Sequence, residues 1–224
     1  LTPSIATTDS SGEARATYTA GDKTSGADGV AIRSSVAGIT SSASLTVAQQ
    51  ALRLAVGTGN EIEEPDTVRY RKPYVAIVTD ANGAPVQNAD IELSVLPIMY
   101  DKGFYIANID AGAWVKTTTA ECNSEDTNQN GQLDAGEDIN GNGTLEPTNA
   151  AATSASSITT AVDGSADFAV LYPQSFCNWV KVRLSATVRV GGTENTEKSE
   201  FYLSCSSKDL TNLDVPPPGE IGRA

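Results

Sequence analysis

Apolar residues in this chain fall on every second position, in short runs separated by turn-forming residues, and almost nowhere at helical spacing. Leu52, Leu54 and Val56; Val75 and Ile77; Ile91, Leu93 and Val95; Phe168 and Val170; and Val180, Val182 and Leu184 each mark a half-buried extended segment. Asn82-Gly83, Asp163-Gly164 and Gly191-Gly192 supply turns between such runs. Short strands punctuated this regularly predict an all-β chain folded as an antiparallel sandwich. The 224 residues suit one large or two ordinary domains.

The two ends of the chain carry similar half-domains. Thr8-Asp9-Ser-Ser-Gly12-Glu-Ala14-Arg-Ala16-Thr-Tyr18, then Val30-Ala-Ile32-Arg33-Ser-Ser35 and Leu45-Thr-Val47, recur as a second set. That set is Asp163-Gly164-Ser-Ala166-Asp-Phe168-Ala-Val170, then Val180-Lys-Val182-Arg183-Leu-Ser185 and Tyr202-Leu203. Residues 1–48 then read as the last three strands of one sandwich. Residues 49–206 hold a complete sandwich enlarged by an insertion at about 97–160, and residues 207–224 form a Pro-rich linker or tail. Three strands alone would leave an edge and an apolar face bare, so a neighbouring domain or another copy of the chain is expected to complete them.

The hairpin Asp80-Ala-Asn82-Gly83-Ala-Pro85-Val86-Gln-Asn-Ala89-Asp-Ile91-Glu-Leu93 resembles the signature hairpin of bacterial immunoglobulin-like domains of the invasin and intimin type. The Thr-Asp-x-x-Gly-x-Ala segment of those domains is matched at Thr8 to Ala14 and, shortened, at Asp163 to Ala166. The resemblance implies an immunoglobulin-like antiparallel β-sandwich, preceded here by a partial second one, and a surface or adhesin-type tandem-repeat protein. It leaves the insertion unexplained.

That insertion carries the chemistry. Asp126-Thr-Asn128-Gln-Asn130-Gly131-Gln132-Leu-Asp134-Ala-Gly-Glu137 fits the twelve-residue calcium loop of EF-hands at each constrained position. Calcium takes six to eight oxygens at about 2.3–2.6 Å from positions 1, 3, 5, 7, 9 and 12 of such a loop. Asp126, Asn128, Asn130, the Gln132 carbonyl, Asp134 and Glu137 hold those positions, with Gly131 at the sharp turn. The spacing begins again at Asp138 with Asn140, Asn142, Thr144 and Glu146, but the twelfth residue is Asn149, which cannot give a bidentate carboxylate. Asp134 or Glu137, lying between the runs, could bridge two ions. Asn/Gly-rich turns alone would explain the composition. The repetition in register favours Ca²⁺, and so does the lack of any Lys or Arg between Glu121 and Pro147, since such dense carboxylates repel one another without a cation. Ser, Thr, Asn and Pro147 flank the loops, so EF-hand helices are not expected.

A formal charge of −13 speaks against nucleic acid, and no apolar run approaches the roughly 18 residues of a spanning helix. The chain starts at Leu1 in patterned sequence without a signal peptide, so a mature or internal segment is expected. Weak modular calcium sites work where calcium is millimolar, which places the protein outside the cell, at a bacterial surface. Of three cysteines, Cys177 and Cys205 flank the runs around Gly191-Gly192 at equal distances, which predicts a bridge between them; Cys122 could instead pair with either.

No histidine is present, which removes His-based triads and metal sites, and Glu63, Glu64 and Asp66 read as solvated acids. An enzyme is not expected. Tyr100, Phe104, Tyr105 and Trp114 read as a satellite core under the insertion, with a sugar platform as the alternative. Val215-Pro216-Pro217-Pro218-Gly219 reads as a stiff connector or a disordered end. The expected role is a non-catalytic spacer or adhesive module that calcium rigidifies, partnered by like domains, other copies, or a host or surface receptor or glycan. A filament subunit completed by its neighbour and a carbohydrate-binding module are the other two readings.

Overall fold

The computed structural model describes residues 1–20, 25, 27–47, 52–190 and 193–219. The Gly191-Gly192 turn, the expected domain boundary at 48/49 and the last residues of the tail lie outside them. The chain divides into two compact units, Leu1–Ala51 with Val190–Thr193, and Leu52–Arg189 with Glu194–Ala224.

The first unit contains a hairpin of β1 (Val30–Val36) and β2 (Ile39–Leu45). Val36 faces Ile39 across a two-residue turn in which Ala37 and Gly38 both take positive φ, the turn whose twist matches paired strands. None of this unit's described residues is buried. Val36 is 69% exposed and Ile39 73%.

The second unit is all-β apart from two short helical turns. Its strands are β3 (Arg53–Thr58), β4 (Arg69–Thr79), β5 (Asp90–Asn108), β6 (Ala113–Asn123), β7 (Ala152–Thr153), β8 (Ser157–Thr159), β9 (Ser165–Pro173), β10 (Val180–Val190) and β11 (Thr193–Tyr202). One antiparallel sheet runs β11-β10-β5-β6 with β8 also on β5; the other runs β3-β4-β9-β7. The sheets meet through side chains such as Tyr74 of β4 and Phe201 of β11, whose ring centroids are 6.0 Å apart. The expected inward residues Ile91, Leu93, Val95, Phe168, Val170, Val180, Val182 and Leu184 are all buried.

On β4 the phase differs from the expectation. Tyr70, Tyr74, Ala76 and Val78 point inward, while Ile77 is 42% exposed. Both phases of this strand are apolar, so alternation alone cannot choose. The tyrosines decide it, because Tyr74 stacks on Phe168 at 5.4 Å and Tyr70 packs edge-on against Tyr172 at 5.8 Å, burying more surface than Val75 and Ile77 would.

Turns follow the sequence closely. Gly83 (φ +84) turns the β4–β5 connection. Gly164 (φ +76) passes so near β4 that an added Cβ would lie 2.6 Å from the Val78 carbonyl oxygen.

The expected insertion is not all loop: β5 continues to Asn108 and returns as β6, so its long irregular stretch is confined to residues 124–151. A bulge between Lys102 and Gly103 keeps the pair in step. Cys177 and Cys205 are bonded, as the spacing predicts, and Cys122 is free. Residues 207–219, expected as a connector or tail, lie against the sandwich. Ser207–Thr211 forms a short helix, α1, whose Asp209 accepts the Tyr70 hydroxyl. Trp114 Nε1 donates to the Asn212 carbonyl (2.9 Å) and Trp179 Nε1 to the Gly219 carbonyl (2.8 Å). Among the described residues no helix is long and apolar enough to cross a membrane.

Candidate metal centre

Residues 124–151 leave the end of β6 and return at β7, along the edge of β5 that β6 and β8 leave unpaired. The Ser124 amide donates to the Ile98 carbonyl (3.1 Å), which seats the first residue of the segment on that edge.

Beyond it the backbone makes the same loop twice, twelve residues apart. Asp126 accepts the Asn130 amide (3.0 Å) and the Gly131 amide (2.9 Å), and Asp138 accepts the Asn142 and Gly143 amides at the same distances. Asn128 Oδ1 accepts the Asn130 amide and Asn140 Oδ1 the Asn142 amide, both at 3.0 Å. Asn130 Oδ1 accepts the Gln132 amide (2.7 Å), and Asn142 Oδ1 the Thr144 amide (2.8 Å) and hydroxyl (2.6 Å). Gln129 and Gly141, and then Gly131 and Gly143, take positive φ in matching positions. Short Asx side chains bonding forward to their own backbone close these turns.

Side chains at loop positions 3, 5 and 9 converge. Asn128 Nδ2 and Asn130 Nδ2 both donate to Asp134 Oδ2, at 2.8 and 2.7 Å, and these bonds hold the Asp134 carboxyl below its usual range. In the second loop Asn140 Nδ2 donates to Glu146 Oε2 at 2.9 Å. Turning an amide through 180° exchanges its NH₂ for its carbonyl oxygen, so the same convergence can present a cation with oxygens. The atoms that converge are all side-chain amides and carboxylates, a donor set that suits a hard ion. Among the described residues no group of three or more His, Cys, Asp or Glu side chains gathers at metal-binding distance. With one carboxylate at each point of convergence, a cation held there would be bound only weakly.

Asp134 and Glu137, the expected bridging residues, are both engaged inside the first loop. Glu137 is 4% exposed; its Oε1 accepts the Thr127 amide and hydroxyl (both 2.9 Å) and the Asn128 amide (3.3 Å), and its Oε2 the Asp134 amide (3.0 Å). The Asp134 amide, then the Thr127 hydroxyl and the Asn128 and Thr127 amides, keep this carboxyl below its ordinary range. Glu137 therefore pins both ends of its loop. Asn149, twelfth in the second loop, lies by the first, its Oδ1 3.9 Å from where a Gly131 Cβ would be.

The link between the loops and the sheet is a residue the sequence did not single out. Glu125 is 2% exposed; its Oε2 accepts the Glu146 amide (3.0 Å) and its own amide donates to the Glu146 carbonyl (2.8 Å). Glu146 Oε2 also accepts the hydroxyl of Tyr100 on β5 (2.9 Å). Burial first, then Glu146, pushes the Tyr100 phenol up. Nothing in the local pattern separates Glu125 from the solvated acids around it. Tyr100 is thus buried and Tyr105 packs edge-on against Trp179 at 5.1 Å, but Phe104 is 42% exposed, so the four aromatics expected as one satellite core do not gather into one.

No family model matches this chain, and no curated protein or solved structure does either.

Proposed function

We propose that the chain is a non-catalytic, calcium-binding, immunoglobulin-like module of a bacterial surface or adhesin-type tandem-repeat protein, in which Ca²⁺ rigidifies residues 124–151. The observation that carries the reading is the repeated loop, in which the same side chains make the same bonds from Asp126 and again from Asp138. Two turns serving only to reverse the chain have no reason to share a twelve-residue period with oxygen-bearing residues at positions 1, 3, 5 and 9.

The immunoglobulin-like part draws support from strand order. Renaming β3, β4, β5, β6, β7, β9, β10 and β11 as A, B, C, C′, D, E, F and G turns the sheets into A-B-E-D and G-F-C-C′, the arrangement of that fold. The disulfide is compatible with an oxidising, extracellular setting.

Calcium titration tests the reading. With a dissociation constant of about 10⁻⁴ M, 5 mM calcium adds about 2.3 kcal/mol to the folded state, or roughly 5–9 °C in melting temperature over chelator. Equal melting curves in chelator and in 5 mM calcium, with no heat of binding, would remove calcium from the proposal and leave only the scaffold.

A second reading has an observation of its own. The β1–β2 hairpin pairs Val30 with Leu45 as the Leu203 amide meets the Val180 carbonyl at 2.9 Å, so it repeats the β10–β11 corner. Val180 and Leu203 are buried, whereas Val30 and Leu45 are not. A half-sandwich finished by a neighbouring domain or another copy accounts for this difference, as a filament subunit would. Sedimentation across a hundredfold concentration range separates a self-completing filament from a monomeric spacer.

A further inference from the structure

The second unit holds one more charged group that its sequence pattern hides. Asp101 lies on β5 and is 2% exposed, and Lys116 reaches it from the neighbouring strand β6, where Tyr105 stands opposite Lys116. The Lys116 ammonium contacts Asp101 Oδ2 and donates to the Asn178 carbonyl at 2.7 Å. Its remaining side is walled by rings: Nζ is 4.6 Å from the Tyr202 centroid and 5.1 Å from that of Trp179. The other carboxylate oxygen, Asp101 Oδ1, accepts the Tyr202 hydroxyl at 3.3 Å, and the Asp101 amide is tied to the Trp179 carbonyl at 2.8 Å.

We propose that Lys116 Nζ and the Asp101 carboxyl condense into an intramolecular amide, a covalent cross-link between β5 and β6 made by the folded chain itself. Three features separate this pair from an ordinary ion pair. First, both partners sit on paired strands whose approach admits no slack: at Gly103 an added Cβ would lie 2.0 Å from the Thr117 carbonyl oxygen. Groups fixed in contact this way react at effective concentrations far above any attainable in solution. Second, ring faces replace water around the ammonium, and burying two opposite charges is costly while burying a neutral amide that keeps its hydrogen bonds is not. Third, the surroundings match the hydrogen-bonding capacity of a secondary amide. Its one N–H has the Asn178 carbonyl as acceptor, and its oxygen has the Tyr202 hydroxyl as donor.

The step balances without any co-reactant. A proton passes from the ammonium to Asp101 Oδ2 along their hydrogen bond, leaving a neutral amine and a carboxylic acid. The nitrogen lone pair attacks Cγ, and the carbonyl electron pair moves onto Oδ1, where the Tyr202 hydroxyl steadies the developing charge. The tetrahedral carbon then collapses and the C–Oδ2 bond breaks. Oδ2 leaves as water, taking a second proton from nitrogen. One ammonium and one carboxylate become one amide and one water, with no change of oxidation state. The water has a way out, since the Lys116 side chain is 20% exposed.

Intact mass spectrometry of the purified, reduced and alkylated chain decides the matter. The amide lowers the mass by about 18 Da, one water, from that of the sequence. Digestion with trypsin then yields a branched peptide joining the segment that ends at Lys102 to the one that contains Lys116, uncleaved at Lys116. Lys116→Arg, which keeps the charge but cannot condense, restores the full mass and both linear peptides. A wild-type chain at full mass overturns the proposal and leaves an ion pair. A loss of one water that maps to a dehydrated Asp-Gly pair such as Asp163-Gly164 also overturns it. Should Lys116→Arg fail to fold, the peptide map of the wild type decides alone. Calcium plays no part in this chemistry, so the outcome is independent of the proposed function.

Discussion

Replacing Cys177 and Cys205 together by alanine perturbs the second unit at a point where the cost can be worked out. The bond closes a loop of sequence separation 28 that contains β10 and β11. In the chain-entropy account, a loop of that size removes about 3.5 kcal/mol worth of freedom from the unfolded chain at 25 °C. Both sulfurs are also buried, and the Tyr105 hydroxyl lies 3.5 Å from Cys205 Sγ, so truncation adds a packing loss of about 0.5–1 kcal/mol. The double variant should therefore lose about 4 kcal/mol, or roughly 8–16 °C in melting temperature for a unit of this size. Urea unfolding measures it, and a second readout tests the mechanism. A chain freed of its cross-link unfolds further, so the slope of stability against urea should rise in the variant. Wild-type protein under reductant should follow the variant to within the packing loss. A variant within about 1 kcal/mol of the wild type, with the slope unchanged, would refute the unfolded-state argument.

Other consequences follow from single residues. Gly103→Ala must displace the Thr117 carbonyl across the β5–β6 bulge and should cost about 2–4 kcal/mol in urea unfolding; a loss under about 0.5 kcal/mol would mean the strands can part there. Glu137→Gln keeps the shape but halves the acceptors facing the Thr127, Asn128 and Asp134 amides, so calcium affinity by calorimetry should fall at least about tenfold, while Asn149→Ala should fall less. Asp134 and Glu137 have folded pKa values below their unfolded ones, so the stability they lend is complete above about pH 4.5 and is lost as pH falls through the depressed values. Amide protection relative to the unstructured chain should accordingly be lost in residues 126–137 below about pH 4 before it is lost in β4 or β10, and simultaneous opening would contradict this order.

Much of the fold is legible without coordinates because its cause is local. Alternation in residues 91–95, 168–170 and 180–184 can be satisfied only by putting those side chains inward, and Gly83 and Gly164 take the positive φ that other residues resist. The two repeated loops are legible for the same reason, since Asx side chains bond to amides two to five residues away. The Cys177–Cys205 bridge follows from symmetry about one hairpin.

What the tertiary structure alone decided depends on which distant groups meet. On β4 both phases are apolar, so the choice of Tyr74 over Val75 rests with Phe168 and Phe201, some hundred residues away along the chain. Glu125 looks like any surface acid until the Glu146 amide arrives, and Lys116 looks like an outward strand residue until Asp101, Trp179 and Tyr202 surround it. The docking of residues 207–219 likewise depends on two indole N–H groups finding backbone carbonyls. Local pattern dictates conformation because its partners travel with it. Burial of charge and the pairing of far segments depend on the chain's closure in three dimensions, which no window of sequence contains.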